Sequence, residues 1–158
     1  MTSSRPNEPR LPGHLDHSKM MKLLGYHLAQ ASIPTNNLFK NKIGQEFQLN
    51  KLEFTILMLL LSNDEVTPKR LSTAINIPAP NLTVILDRLE KRELLARTRS
   101  QADRRVQHVQ LTPQGLAMAR EIDQLSDVME QDLLSHLTEA ECGMLFELLK
   151  KVAVHRRV

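Results

Sequence analysis

Residues 67–115 read TPKRLSTAINIPAPNLTVILDRLEKRELLARTRSQADRRVQHVQLTPQG, and their pattern decides the fold. Thr67-Pro68 places a hydroxyl cap before a proline in the first helical turn, where no N–H is needed. Leu71, Ala74 and Ile75 then fall on one face. A second helix follows almost at once. Its Leu82, Ile85, Leu86 and Leu89 recur at i, i+3, i+4 and i+7, which makes one buried stripe and leaves Asn81, Thr83, Asp87 and Arg88 on other faces. Residues 94–99 and 106–112 predict two extended segments, the second alternating strictly between apolar and polar side chains as a half-buried strand does. The polar residues 100–105 join them.

The helix pair resembles a helix-turn-helix. A two-stranded ribbon directly behind such a pair is a wing, and this one carries Arg97, Arg99, Arg104 and Arg105, which points to the DNA backbone as partner. The charge distribution agrees. Residues 88–105 hold seven basic residues against three acidic ones, whereas residues 116–149 hold eight acidic residues against Arg120 alone. Opposite charge at opposite ends orients a protein on a polyanion.

Leu89-Glu90-Lys91-Arg92 followed by Leu94, then Asp103-Arg104-Arg105 and Leu111-Thr112-Pro113-Gln114-Gly115, resemble the MarR family of bacterial transcription regulators, whose wing signature is Asp-x-Arg followed by Leu-Thr-x-x-Gly. As a pattern the resemblance extends over residues 20–155. It implies a mainly α fold with a small β wing, a winged helix-turn-helix domain plus N- and C-terminal helices forming a dimerisation region. The corresponding division is a flexible N-terminal arm (1–14), an N-terminal dimerisation helix region (15–48), a winged DNA-binding domain (49–115) and C-terminal dimerisation helices (116–158). It further implies a homodimer on a pseudo-palindromic operator, repression as the usual output, and a small aromatic or phenolic effector bound between the dimer helices and the winged domain. Tyr26 and His27, polar groups within an apolar helix, are the candidate cleft contacts.

In this motif the helix from Pro80 to about Arg92 enters the major groove. Asn81 and Thr83 are its candidates for base edges, Asn81 by bidentate pairing with adenine, and Arg88 for a base or phosphate. Arg105 aligns with the family's wing-tip arginine that reaches toward the minor groove, and Asp103 is placed to hold its guanidinium or brace the turn. Arg97, Arg99, Arg104 and His108 are candidate phosphate contacts, joined by Lys69 and Arg70. The chain also departs from the pattern. Pro78 and Pro80 stand where related proteins commonly carry Ser, Thr or a basic residue, and no Lys or Arg occurs between Leu71 and Arg88, so direct base readout is expected to be thin. Glu93 replaces the glycine expected after the recognition helix, which predicts a helix end without the usual left-handed residue.

The remaining segments serve this centre. Residues 1–13, with Pro6, Pro9 and Pro12, show no periodicity and predict a flexible arm, or an arm that reaches a partner subunit or DNA through Arg5 and Arg10. A long helix is expected from about Asp16, kinked or broken between Ala31 and Pro34. Asn50 and Glu53 have the spacing of a capping box before an apolar helix. Pro113 opens a long helix with Met118, Ile122, Leu125, Met129, Leu133 and Leu137 in a narrow stripe. Thr138 and Glu141 form a second capping box before Leu145, Leu148, Leu149 and Val152. Stripes of this length exceed what a small winged domain covers and call for a second chain.

Composition sets the outer limits. The 158 residues suit one domain, and with only 3% aromatic residues the aliphatic side chains must do the packing, which favours helices. The longest apolar run, residues 56–61, is far short of the ~18 that span a membrane, and the start of the chain lacks a secretory apolar core, so a soluble cytoplasmic protein is expected. A single cysteine, Cys142, allows no internal disulfide. It shares a face with Leu145 and Leu149 and is expected as a buried structural thiol. His14-Leu15-Asp16-His17 is a weak metal pattern. With no Gly-rich phosphate loop and no nucleophile-base-acid arrangement, neither an enzyme nor a cofactor is expected. One alternative keeps the fold and changes the partner: a winged module whose basic wing docks an acidic protein.

Overall fold

The computed structural model describes residues 15–99 and 106–154. The chain divides into two compact units, one ending at Asn36 and one beginning at Asn37.

In the first unit the helix starts later than Asp16. The Asp16 carboxylate accepts the Ser18 N–H at 2.9 Å, a local bond that competes with helix formation, and residues 18–22 form turns. That N–H, helped by the Ser18 side chain, holds the Asp16 carboxyl below its ordinary pKa. Helix α1 spans Leu24–Phe39 with Pro34 inside it. The expected break between Ala31 and Pro34 does not occur, and α1 runs through both residues. Proline withholds one donor, and neighbouring hydroxyls stay bonded to the ladder, Thr35 Oγ1 donating to Ala31 O at 2.9 Å and Ser32 Oγ to Ala29 O at 2.7 Å. The departure from α geometry comes later, as a π-helical turn at Lys40–Gly44.

The second unit is built around α2 (Lys51–Leu61). Its start is the capping box read from the sequence: Asn50 Oδ1 accepts the Glu53 N–H at 3.0 Å, and Glu53 Oε2 accepts the Asn50 N–H at 2.8 Å. Helix α3 (Pro68–Ile75) starts on the Thr67 hydroxyl and ends on Asn76 in the left-handed region, with Leu71 buried, Ile75 half-buried and Ala74 exposed. Helix α4 (Ala79–Lys91) buries the expected stripe Leu82, Ile85, Leu86 and Leu89. Strands β1 (Leu95–Arg99) and β2 (Gln107–Leu111) pair antiparallel with Leu95 opposite Leu111 and Arg99 opposite Gln107. Val109 N–H donates to Val66 O at 2.7 Å, so the residue before the Thr67 cap of α3 extends this ribbon on its other edge. Ile43, Ile56, Leu57, Leu71, Leu82, Leu86, Leu89, Leu94, Leu95, Val109 and Ile122 are the largest fully buried side chains of one continuous core.

Helix α5 (Pro113–Leu134) contributes Gly115, Ala119, Ile122 and Met129 to burial. Helix α6 (Glu139–Val154) buries none of its residues, and Met144, Leu145, Phe146, Leu148 and Val152 are all exposed. Cys142, expected to be buried, is only half-buried for the same reason. Among the described residues no helix is long and apolar enough to cross a membrane.

Candidate nucleic-acid interface

Pro78 is the N-cap of α4 and gives no side-chain hydrogen bond, and a proline in the first turn supplies the helical φ in advance. The start of the helix therefore offers backbone N–H groups without a side-chain cap. Asn81, Thr83, Val84, Asp87, Arg88 and Lys91 are exposed on its outward side. Thr83 Oγ1 donates to Ala79 O at 3.0 Å, so the hydroxyl proton is used within the helix.

Three arginines hold this helix in place. Arg88 Nη2 lies 2.9 Å from Glu53 Oε1; the carboxylate is buried while the guanidinium is half exposed. Arg92 donates to Phe47 O and Gln48 O, both at 2.8 Å, and pins the end of α4 to the turn before α2. Arg97 on β1 is bonded by Asp87 and by Glu90, the latter with Nε at 3.0 Å and Nη2 at 2.9 Å, and the Arg97 N–H also donates to Glu90 at 3.2 Å. The Asp87 hydrogen bond in the first place, with the charge of Glu90, holds the Arg97 pKa above its ordinary value against the opposing effect of burial. Arg97 thus fastens the wing to α4 and does not present a free charge.

The other candidates are distributed as follows. Arg99, at the outer end of β1, is exposed. His108 faces Thr98 across the ribbon, with Nδ1 buried and unbonded among the described residues. Lys69 and Arg70 are exposed on α3, Arg70 donating to Glu65 O at 3.2 Å. Asp103, Arg104 and Arg105 lie outside the described residues, as does His14. In the first unit Tyr26 is half-buried and its hydroxyl is hydrogen-bonded to His17 Nδ1, whereas His27 is exposed with Nε2 at 2.7 Å from Met21 O. A cleft lined by Leu59, Asn63, Val66, Arg70, Leu71 and Ala74 encloses about 100 Å³, less than the ~300 Å³ at which small-molecule pockets begin.

The junction of α4, wing and α5 explains the Leu-Thr-x-x-Gly spacing. Glu93 adopts φ 57°, correcting the expectation that α4 ends without a left-handed residue. Glu93 N–H donates to Glu90 O at 2.9 Å and Leu94 N–H to Leu89 O at 3.0 Å, the paired bonds of a Schellman end with glutamate in the glycine position. Thr112 caps α5 by accepting the Gly115 N–H at 3.0 Å, while its hydroxyl donates to Glu93 O. A Cβ on Gly115 would stand 1.7 Å from Leu94 O, so only glycine lets the first turn of α5 lie on that backbone.

Two features escaped the sequence reading. In the sequence Arg92 is one of the seven basic residues of 88–105, and nothing local marks its carbonyl partners 44 and 45 residues away. Val84 is 60% exposed. Its signal was available, because it is the one aliphatic side chain of the helix core that the 82/85/86/89 stripe leaves out.

Residues 49–106 match the model of the MarR family. The chain is 32% identical over 119 residues to the HTH-type transcriptional regulator MhqR of Bacillus subtilis, covering 74% of this chain and 81% of that protein. Among solved structures, the transcriptional repressor CouR bound to a 23-mer DNA duplex superposes with a TM-score of 0.82 at 30% identity, over 89% of this chain and 99% of that one. BpsR of Bordetella bronchiseptica, described for regulation of its DNA binding by 6-hydroxynicotinic acid, gives 0.73 at 26%, over 84% and 94%. With the fold, the capped α4 and the Thr112–Gly115 junction in place, these likenesses are decisive: the chain belongs to the MarR family of DNA-binding transcriptional regulators.

Proposed function

We propose that the protein is a homodimeric repressor that binds a pseudo-palindromic operator and is released by a small aromatic or phenolic acid. The observation that carries the dimer is the unburied α6, whose apolar residues meet no cover among the described residues. At ~25 cal/mol per Å² of apolar surface, leaving such a helix wet forfeits several kcal/mol that a second copy supplies. Two copies related by a twofold axis present two α4 helices about one DNA turn apart, which is what an inverted repeat requires.

In this reading Asn81 and Thr83 meet base edges, with Arg88 at a base or phosphate. Arg99, Arg104, His108, Lys69 and Arg70 hold phosphates, and Asp103 steadies Arg105 at the minor groove. Arg97 acts from behind, through Asp87 and Glu90. The small cleft beside α3 leaves no room for an aromatic acid, and Tyr26 and His27 remain the candidate effector contacts. Regulation of BpsR by a hydroxylated aromatic acid supports an effector of that class. Its action is a difference in affinity for two dimer shapes, only one of which fits the operator spacing.

The test is selection of bound duplexes from fragmented genomic DNA, followed by sedimentation of the complex. An inverted repeat bound by two chains, with affinity lowered by a hydroxylated aromatic acid, is the expected result. No enriched sequence, with binding that stays at the non-specific ~10⁻⁴ to 10⁻⁶ M, would transfer the wing to an acidic protein partner.

A further inference from the structure

The outward side of α4 offers an unusual set of groups to the groove. No Lys or Arg occurs between Leu71 and Arg88, and Arg88 itself is held at 2.9 Å by Glu53. Arginine and lysine are the side chains that read guanine O6 and N7, so the first two turns of this helix, ahead of Arg88, lack the guanine-reading chemistry. What they present is an exposed carboxamide at Asn81 and an aliphatic side chain at Val84 that is 60% exposed, in a helix whose stripe residues Leu82, Ile85, Leu86 and Leu89 are at most 7% exposed. Thr83, between them, has its hydroxyl proton committed to Ala79 O.

Asn81 and Val84 are three residues apart, so they lie on the same side of the helix, ~4.5 Å apart along its axis. That rise spans little more than one ~3.4 Å base step. A carboxamide pairs in two places with adenine N6 and N7, and an aliphatic side chain packs on the 5-methyl group of thymine. Resting on the recognition-helix reading above, we infer that α4 reads an A·T core in each half-site, Asn81 taking an adenine edge and Val84 the thymine methyl of the same or the adjacent pair. Val84 is then a specificity-determining residue. Guanine, where the operator contains it, is left to Arg88 near the far end of α4 or to the wing.

Replacing thymine by deoxyuridine removes one methyl group and changes no hydrogen-bonding atom. The experiment takes the duplex enriched by the full-length protein, replaces the half-site thymines one position at a time and symmetrically, and measures affinity for the wild type and for Val84→Ala. Alanine is a better helix former than valine and the site is exposed, so the variant folds. At one thymine per half-site the wild type is expected to lose about fourfold per methyl, hence about fifteenfold for the pair. Val84→Ala should bind the thymine operator with that same loss and show no further loss on deoxyuridine. Both proteins should bind non-specific DNA alike. An operator whose α4-facing core is G·C, or deoxyuridine that affects wild type and Val84→Ala equally at every position, overturns the inference while operator binding stands. Failure to enrich any operator removes the DNA-reading assignment of α4 and this inference together.

Discussion

Glu53 Oε1 and Arg88 Nη2 are 2.9 Å apart, tying the one buried side chain in the first turn of α2 to the outward face of α4. The other carboxylate oxygen accepts the Asn50 N–H, so both oxygens of a nearly inaccessible group are satisfied. Arg88→Met removes one partner and leaves a buried charge. The expected loss is ~1–2 kcal/mol of folding stability, reduced from that of a fully buried pair because the guanidinium is half in water. Glu53→Gln keeps an acceptor for Asn50 and should cost less than Arg88→Met. Urea denaturation of the two variants checks this. Equal losses near zero would mean that the pair contributes nothing.

Glu93 and Gly115 predict opposite outcomes for glycine. A glutamate at φ 57° carries ~1 kcal/mol or more of backbone strain, so Glu93→Gly should raise stability by about that amount and leave operator affinity unchanged. Gly115→Ala drives a methyl group into Leu94 O, and a loss above ~3 kcal/mol or failure to fold is expected. Thermal unfolding measures both. A destabilised Glu93→Gly would mean that the glutamate side chain contributes more than the strain it introduces.

Arg97 and Arg99 sit two residues apart on β1 and should behave differently. Arg97→Ala frees the wing from Asp87 and Glu90 and should lower stability by ~1 kcal/mol together with operator affinity. Arg99→Ala, at an exposed strand end, should leave stability within ~0.5 kcal/mol and reduce the slope of log affinity against log salt by about one. Denaturation and anisotropy on the same samples separate the two. A reduced slope for both residues with stability intact would make Arg97 a phosphate contact.

This pair also marks how far the sequence could be read. The α4 stripe, the caps at Asn50, Thr67 and Thr138 and the two strands were legible because each depends on residues a few positions apart. A cation's partner is not local in this way. Arg97 has the same side chain whether it faces phosphate or carboxylate, and Asp87 with Glu90 became its partners only through the fold. The start of α1 was missed because one Asx bond at Asp16 outcompeted the helical pattern, and the end of α4 because tertiary packing of Leu89 and Leu94 held Glu93 in a glycine-like conformation. Val84 was passed over because periodicity locates what is buried and does not say what an excluded aliphatic residue is for.

The Glu141 carboxyl is held below its ordinary pKa, first by the Thr138 backbone N–H and then by the Thr138 hydroxyl. A lowered folded value means that the contribution is complete above the ordinary carboxyl range of ~4.3 and is lost as pH falls through the folded pKa. The first turn of α6 should therefore fray in acid before the core does. Amide chemical shifts of Thr138 and Glu141 followed from pH 7 to 3 should show this transition below ~4.3, and Thr138→Ala, which removes the hydroxyl and keeps the backbone N–H, should move it only part of the way back toward the ordinary range. A midpoint above the ordinary range would contradict the cap.

The most direct test of the central claim, that α4 and the wing together hold duplex DNA, is the salt dependence of operator affinity for the wild type and Arg105→Ala. Log affinity against log salt should be a straight line for the wild type, with a slope smaller by about one for the variant and two chains per duplex in both. A flat line, or a slope that Arg105→Ala leaves unchanged, would contradict it.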